Sequence, residues 1–260
     1  MAKLTDEQKK EYAKGAKGGA GMNFWKPSDI PAGQTVEVRV LPLGGDAKTC
    51  YRPVAKYFRR DIDGGQGVVF DPHGTFGEKS PLKNRLFEMM KSDDEKKAER
   101  AKACMPKQEW WMKIAEVRDI KAKGKEAPVH LAQMNYTIAD AVIEQVKNTG
   151  SSIDDIMDGL PMFISKTGKK LQTKYKVSFG PAGPASKKES TRKALLEKAE
   201  AIDVEALITR DPEALKELEL AIFGNVKDAK TGKITGGKKG KPADDEEDDE
   251  EDIEEGDEEG

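Results

Sequence analysis

The chain has 260 residues, of which 36% are hydrophobic and 36% charged, with a formal net charge of −3 at pH 7. This hydrophobic content can bury one medium-sized core but not the whole chain. No apolar run approaches the roughly 18 residues of a membrane span, and the first residues lack the apolar stretch of a secretory signal. With only two cysteines, the sequence predicts an intracellular protein that has no disulfide and does not enter a membrane.

Charge is unevenly distributed along the chain. Residues 244–260 hold 14 Asp or Glu in 17 positions, so the overall −3 leaves about +11 on residues 1–243. A basic body joined to an acidic segment is typical of a polyanion-binding surface with a competing intramolecular anion. Because no lipid-facing amphipathic helix is evident, we expect the polyanion to be nucleic acid.

Composition divides the chain into four regions. Residues 1–22 end in the glycine-rich GAKGGAG and are predicted to form a flexible arm. Residues 23–185 are predicted to form the binding core, and residues 186–224 a set of C-terminal helices. Residues 225–260 are predicted to be a disordered Lys/Gly linker followed by the acidic tail.

The core shows the alternation of half-buried strands. VEVRVLPL at 36–43 is predicted to point its valines inward and Glu37 and Arg39 outward. KAKGKEA is predicted to be a turn between two later strands. Further strands are predicted at 54–62, 108–119, 129–136 and in a hairpin over 160–179 that bends at Thr167–Gly168.

Helices are marked by their capping residues. Ser80 followed by Pro81 predicts one helix, and Ser92 with Glu95 predicts a capping box at the next. Three further helical regions are predicted: a helix capped by Thr137 and Asp140 and ended by Gly150, a short turn at Ile153–Met157, and helices after Pro184, including one that begins at Asp211–Pro212 and ends at Gly224. The predicted fold is therefore mainly β, with five or six strands and helical insertions.

The segment KYFRR combines basic and aromatic residues, which single-strand binders use to contact phosphates and stack bases. In a strand, Tyr57 and Arg59 share one face while Lys56, Phe58 and Arg60 share the other. We expect one set to face nucleic acid and Phe58 to enter the core. The alternative is an ordinary strand with a charged edge.

Two adjacent tryptophans in the strand 108–119 must point to opposite faces. Trp110 shares a face with Met112 and Ile114, which predicts burial, whereas Trp111 shares a face with Lys113 and is predicted to stack on nucleic acid. The alternative is that the outward tryptophan packs against a helical layer.

The hairpin places lysines beside an aromatic strand. Lys174 and Lys176 alternate with Tyr175, so we expect the lysines to contact phosphates and Tyr175 to stack on a base. The alternative is that Tyr175 and Phe179 belong to the core and the lysines to a solvated surface.

Catalytic and metal-binding patterns are not evident. The sequence contains no phosphate-binding loop, HExxH or GxSxG motif. His73, Cys50 and Cys104 are scattered and too few for a closed zinc site. We therefore expect a non-enzymatic protein with no metal and no other cofactor.

The order of several segments resembles the phage single-stranded DNA-binding (helix-destabilising) proteins of the T-even type. These segments are FWKP at 24–27, VEVRVLPL, the basic aromatic strand, FDPHGTFGEKSP, WWMKIAEVRD and MFISKTGKKLQTKYKVSF. The similarity covers roughly residues 22–182 and the acidic end. It implies an OB-fold, a five-stranded barrel that binds single strands without sequence specificity in replication, recombination and repair. It also implies that the protein acts in the cytoplasm of the bacterial host cell.

The patterns of basic and aromatic residues predict which residues contact DNA. The expected DNA contacts are Lys56, Tyr57, Arg59, Arg60, Trp111, Lys113, Lys174, Tyr175 and Lys176. T-even members carry a zinc knuckle of one His and three Cys, but Asp71 and Ser80 stand where cysteines are expected, so no zinc is predicted here. The N-terminal arm is a candidate for self-association on DNA.

The acidic tail is expected to occupy the basic groove when DNA is absent and to recruit replication and recombination proteins when displaced. The residues assigned to this role are Asp244, Asp245, Glu246, Glu247, Asp248, Asp249, Glu250, Glu251 and Asp252. Two alternatives stay open: an acidic-tailed chaperone or scaffold that binds basic proteins, and an RNA-binding OB protein.

Overall fold

The structure, a computed structural model, describes residues 24–44, 49–150, 152–227 and 234–236. The predicted N-terminal arm and acidic tail lie outside these residues. No helix in the described part of the chain is long and apolar enough to cross a membrane.

Nine strands are present in the described residues, and seven of them form one antiparallel sheet. They are β1 (Thr35–Leu41), β2 (Arg52–Phe58), β3 (Val68–Phe70), β4 (Lys107–Glu116), β5 (His130–Met134), β6 (Pro161–Thr167) and β7 (Lys174–Phe179), with β8 (Asn225–Lys227) and β9 (Ile234–Gly236) as a separate pair.

The long strand β4 organises the large sheet. The strand order is β3-β2-β4-β1-β6-β7, and β5 also pairs with β4. On one edge of β4, Trp111 pairs with Arg52 of β2 and Lys113 with Leu41 of β1. The opposite edge pairs with β5 over residues 110–114. One strand thus holds three neighbours in register, which fixes the positions of the side chains on both faces.

Eight α-helices accompany the sheet in the described residues. They are α1 (Pro72–Phe76), α2 (Pro81–Met90), α3 (Glu95–Cys104), α4 (Val117–Lys123), α5 (Tyr136–Thr149), α6 (Glu189–Glu200), α7 (Val204–Leu207) and α8 (Pro212–Phe223). The fold is therefore mixed α and β, an antiparallel sheet with helices, and holds more helix than the sequence predicted.

Both faces of β4 are buried. Met112 and Ile114 lie in the first core cluster, together with Ile138 and Val142 of α5. On the opposite face, Trp111 shares a cluster with residues of α7, and Ala115 shares one with residues of α4 and α6. Helices therefore cover the sheet on both sides, so the side chains of β4 that they cover do not alternate between buried and exposed, as those of a half-buried strand would.

Several helix ends agree with the capping predictions. Ser80 Oγ accepts a hydrogen bond from the Lys83 amide at the start of α2, and the Asp211 side chain accepts one from the Ala214 amide at the start of α8. Gly150 and Gly224 end α5 and α8 in the left-handed conformation, which glycine adopts without a steric penalty.

Other local predictions were wrong. Asp94, not Ser92, caps α3, and Asn135, not Thr137, caps α5, since in each case this side chain accepts from the amide three residues on. Residues 117–123, predicted to be strand and turn, form α4. Ile153–Met157 contains only bends and turns.

Arg39 is a further correction, because it is 4% exposed rather than solvent-facing. Its Nη2 donates to the backbone oxygens of Asp155 and Gly183 at 3.2 and 2.9 Å. Strand β1 is thus buried on both faces toward its end.

Candidate nucleic-acid interface

Phe58 lies at the end of β2 and is partly exposed, although the sequence predicted it in the core. Three cations surround its ring: the nitrogens of Lys107 and Lys56 lie 4.9 and 5.4 Å from the centroid, and the Arg60 guanidinium lies at 5.7 Å. Carboxylates already compensate them: Asp61 pairs with Lys107 at 3.1 Å and with Arg60 at 3.0 Å.

Lys56 is 5% exposed and pairs with Glu109 at 2.6 Å. Its predicted position on a nucleic-acid-facing surface is therefore wrong. The cations around Phe58 form a locally neutralised group, of which Arg60 is the most accessible, with 73% of its side chain exposed.

Tyr57 was predicted to face nucleic acid, but it is fully buried. It belongs to a cluster with Leu86 of α2, Ala101 of α3 and Leu218 of α8. Its hydroxyl donates to Asp71 Oδ1 at 2.9 Å, and burial raises its pKa above the usual range of tyrosine. Helices that the strand pattern does not reveal cover this face.

Arg59 lies outside the strand, in the 3₁₀ turn Arg59–Asp61. It pairs with Asp63 at 2.7 Å and with Glu217 of α8 at 3.1 Å. The hydrogen bond from Arg59 to Asp63 raises the pKa of the guanidinium. Arg59 therefore connects the turn to the C-terminal helices, and the predicted face shared with Tyr57 does not exist.

The exposures of the two tryptophan side chains are the reverse of those predicted. Trp111 is 3% exposed, and its ring lies 5.0 Å from that of Phe24 and 6.0 Å from that of Phe70. Trp110 is only partly buried and contacts the ring of Tyr136 edge-on at 5.9 Å. Tyr136 is 66% exposed. The accessible aromatic pair is therefore Trp110–Tyr136, at the edge of the first core cluster.

Lys113 is also buried, with 1% of its surface exposed. Its Nζ donates to the Leu43 carbonyl oxygen at 2.5 Å. Burial lowers the pKa of Lys113 to about 8, although the charges of Asp203 and Glu200 oppose this shift. The amine cannot reach a phosphate from this position, because α7 and its neighbours cover this face.

The β6–β7 hairpin presents its lysines as the alternation predicted. Lys174 and Lys176 are exposed, while Tyr175 is half-buried and packs against the first core cluster. Burial raises the pKa of Tyr175, and the charge of Asp29 raises it further. Neither lysine has an ion-pair partner in the part of the chain that the structure describes. Their contact with DNA stays a prediction.

This chain is similar to a known protein family over most of its length. The model of a family described as "gp32 DNA binding protein like" matches residues 33–223. The chain belongs to this family. The gp32-like proteins are non-enzymatic single-stranded DNA-binding proteins, so the resemblance seen in the sequence is confirmed. The match includes the β6–β7 hairpin and the C-terminal helices but not the acidic tail. No curated protein matches the chain.

Asp71 and Ser80, which stand where the resemblance placed cysteines, are joined by a hydrogen bond in this gp32-like protein. Asp71 Oδ1 accepts from Ser80 Oγ at 2.6 Å, and its Oδ2 accepts from the Gly74 amide at 2.7 Å. Cys50 and Cys104 are buried in different core clusters. Within the described residues, no group of three or more His, Cys, Asp or Glu could hold a metal ion.

Besides Trp110, sequence reasoning missed Phe58 and Tyr136 as accessible aromatic residues of the gp32-like core. For Tyr136 a signal was present: Asn135 is a favoured N-cap residue, and the residue after it begins α5 at the surface. For Phe58 none was available, because its exposure depends on where β2 ends and the 3₁₀ turn begins.

Proposed function

We propose that the protein binds single-stranded DNA without sequence specificity and coats and protects it in phage replication, recombination and repair. Membership of the gp32-like family carries this proposal. The accessible Trp110–Tyr136 pair gives it a physical basis, together with the hairpin lysines, which have no ion-pair partner among the described residues. Single-strand binders combine aromatic stacking with a positive path for the backbone.

In the proposed mechanism, bases stack on Trp110, Tyr136 and Tyr175. Lys174 and Lys176 project from the opposite face of β7, which is an edge strand of the sheet, and contact phosphates where the DNA passes over this edge. Ring faces and phosphates are common to all nucleotides, so binding tolerates any sequence. Arg60 is a peripheral phosphate contact, because Asp61 competes for its charge.

The five remaining residues predicted from the sequence take a supporting role in this proposal. Lys56, Tyr57, Arg59, Trp111 and Lys113 are buried or paired and hold the strands and helices that carry the surface. The antiparallel sheet supports the further proposal that the core is a variant of the OB-fold, with β4 as its central strand.

The acidic tail is proposed to compete with DNA for these lysines and, when displaced, to recruit replication and recombination proteins. Deleting residues 244–260 should tighten binding of an oligo-dT at low salt, because 14 carboxylates no longer act as a tethered competitor. A tail of the same length in which Ser and Gly replace the acids should bind like the deletion. Unchanged affinity in both variants would refute the competition.

The function itself is tested by fluorescence anisotropy with labelled oligo-dT, a duplex of equal length and an RNA oligomer, at low and moderate salt. We expect tight, salt-sensitive binding of oligo-dT and weaker binding of the duplex. A protein that ignores all three nucleic acids but binds a basic protein would instead be an acidic-tailed scaffold. Preference for the RNA would indicate an RNA-binding protein.

A further inference from the structure

A basic cleft of about 810 Å³ opens on the face of β1 and β6 that lies opposite the first core cluster. We call it the outer cleft. The N-terminal end of α6, the segment before it, and α4 with the turn that follows form its walls. Its charged lining residues are Glu37, Arg39, Lys121, Lys123, Lys125, Lys187 and Lys188, and no aromatic side chain lines it.

Arg39 lines this cleft as a buried cation without a carboxylate partner in the described residues. It is 4% exposed, and its Nε has no hydrogen-bond partner. The nearby Asp155 carboxylate accepts from the backbone amides of Met157 and Asp158 instead. The charges of Asp155 and Glu37 act on the Arg39 guanidinium, but neither carboxylate forms an ion pair with it in the described residues. An anion in the outer cleft would therefore stabilise this buried charge.

The N-terminus of α6 adds positive potential to the same cleft. This helix has 12 residues, and its cap residue Lys188 makes no side-chain capping hydrogen bond. Helix N-termini favour anions through their free amides and their dipole. Glu37 pairs with Lys121 at 3.6 Å, whereas Lys125, Lys187 and Lys188 have no ion-pair partner among the described residues.

The register of the sheet connects the outer cleft to the hairpin lysines. Glu37 pairs with Phe163, which pairs with Ser178. Two residues further along, Thr35 pairs with Ser165, which pairs with Lys176. Directly paired residues project from the same face of a sheet. One face thus runs from the cleft, past the half-buried Phe163, to Lys176 and Lys174.

We propose that the outer cleft binds the sugar–phosphate backbone of single-stranded DNA that continues from the hairpin lysines. Without aromatic side chains, the cleft contacts phosphates and does not stack bases. This inference rests on the proposed function and extends it, because a long strand then contacts two surfaces of the protein while a short strand reaches only the first.

The test compares two triple variants of the full chain, each of which removes three exposed lysines. The cleft variant is Lys125→Gln/Lys187→Gln/Lys188→Gln. The control variant is Lys79→Gln/Lys96→Gln/Lys102→Gln, which changes the net charge equally at exposed positions outside both proposed surfaces. Anisotropy is measured with a short and a long oligo-dT over a range of salt concentrations, and with poly-glutamate as an acidic peptide probe.

We expect the cleft variant to bind the short oligomer like the control but to bind the long one about tenfold more weakly. Its logarithmic salt slope on the long oligomer should fall in magnitude by up to about 2, since each single-strand phosphate contact contributes about 0.7. The short oligomer tests the proposed function separately, because the wild-type protein should bind it whether or not the cleft contacts DNA.

Equal slopes for the two variants on the long oligomer would overturn the cleft proposal alone. Loss of poly-glutamate binding in the cleft variant, with unchanged DNA slopes, would also overturn it and would indicate an acidic protein partner. Failure of the wild-type protein to bind either oligomer would overturn the proposed function as well.

Discussion

The hydroxyl of Tyr57 donates a hydrogen bond to Oδ1 of Asp71 at 2.9 Å, and both side chains are fully buried. The same carboxylate accepts hydrogen bonds from Ser80 and Gly74. These contacts join β2 to α1 and to the start of α2. Tyr57 is therefore part of the scaffold that positions the surface.

Replacing Tyr57 with Phe should lower the free energy of unfolding by about 1–3 kcal/mol, because a buried carboxylate loses one hydrogen-bond donor. Urea denaturation measures this change. Oligo-dT affinity should stay within about twofold of wild type, because the hydroxyl that is removed is buried against Asp71 and does not face DNA. Full stability combined with weakened DNA binding would show that the Tyr57 hydroxyl contacts DNA instead of Asp71.

Lys113 should make stability depend on pH. Its pKa is about 8 in the folded protein, compared with an ordinary value of 10.5. Between these values the unfolded chain binds more protons, so the free energy of unfolding rises with pH, by up to about 3 kcal/mol from this group. Below pH 8 both states are protonated, and the charged amine destabilises the fold.

Lys113→Met removes this contribution and tests it. The free energy of unfolding of the wild type, minus that of the variant, should increase between pH 8 and pH 10 when measured by urea denaturation. Lys96→Met, at an exposed site, is the matched control and should show no such trend. A constant difference for Lys113→Met would mean that the amine keeps its ordinary pKa.

Tyr136→Ala should weaken binding of oligo-dT by about 1–3 kcal/mol, the usual value of one stacked base. The side chain is 66% exposed, so the fold should be little affected. Phe87→Ala removes another exposed aromatic residue, 43% exposed on α2, and serves as the control in the same anisotropy titration. Equal affinities of the two variants would exclude Tyr136 as a stacking platform.

Lys174→Gln combined with Lys176→Gln should reduce the magnitude of the logarithmic salt slope by about 1.4, because two phosphate contacts of about 0.7 each are lost. The measurement is oligo-dT affinity over a range of salt concentrations. Lys96→Gln with Lys102→Gln provides a charge-matched control. A slope equal to the control would place the phosphate path elsewhere.

The sequence predicted several parts of the fold that depend on local chemistry, although it assigned the caps of α3 and α5 to neighbouring residues. The caps at Ser80 and Asp211 and the endings at Gly150 and Gly224 follow from hydrogen bonds and backbone preferences within a few residues. The hairpin lysines also lie where the alternation of β7 predicted. In these cases the determining contacts are short-range, so one sequence is sufficient to infer them.

The exposure of Trp110 and Trp111 could not be predicted in the same way. Alternation correctly placed them on opposite faces, but which face is covered depends on helices far along the chain. Trp111 lies in a cluster with Val204 and Leu207 of α7. Likewise, Glu217 of α8 pairs with Arg59. A strand pattern carries no information about such distant partners.

Tryptophan fluorescence during an oligo-dT titration tests the central claim most directly, using the wild type, Trp110→Phe and Trp111→Phe. We expect oligo-dT to quench the tryptophan fluorescence of the wild type and of Trp111→Phe. Trp110→Phe should lose most of this quenching, and a duplex should have little effect on the fluorescence. Quenching that survives in Trp110→Phe but disappears in Trp111→Phe, or no response to oligo-dT in the wild type, would contradict it.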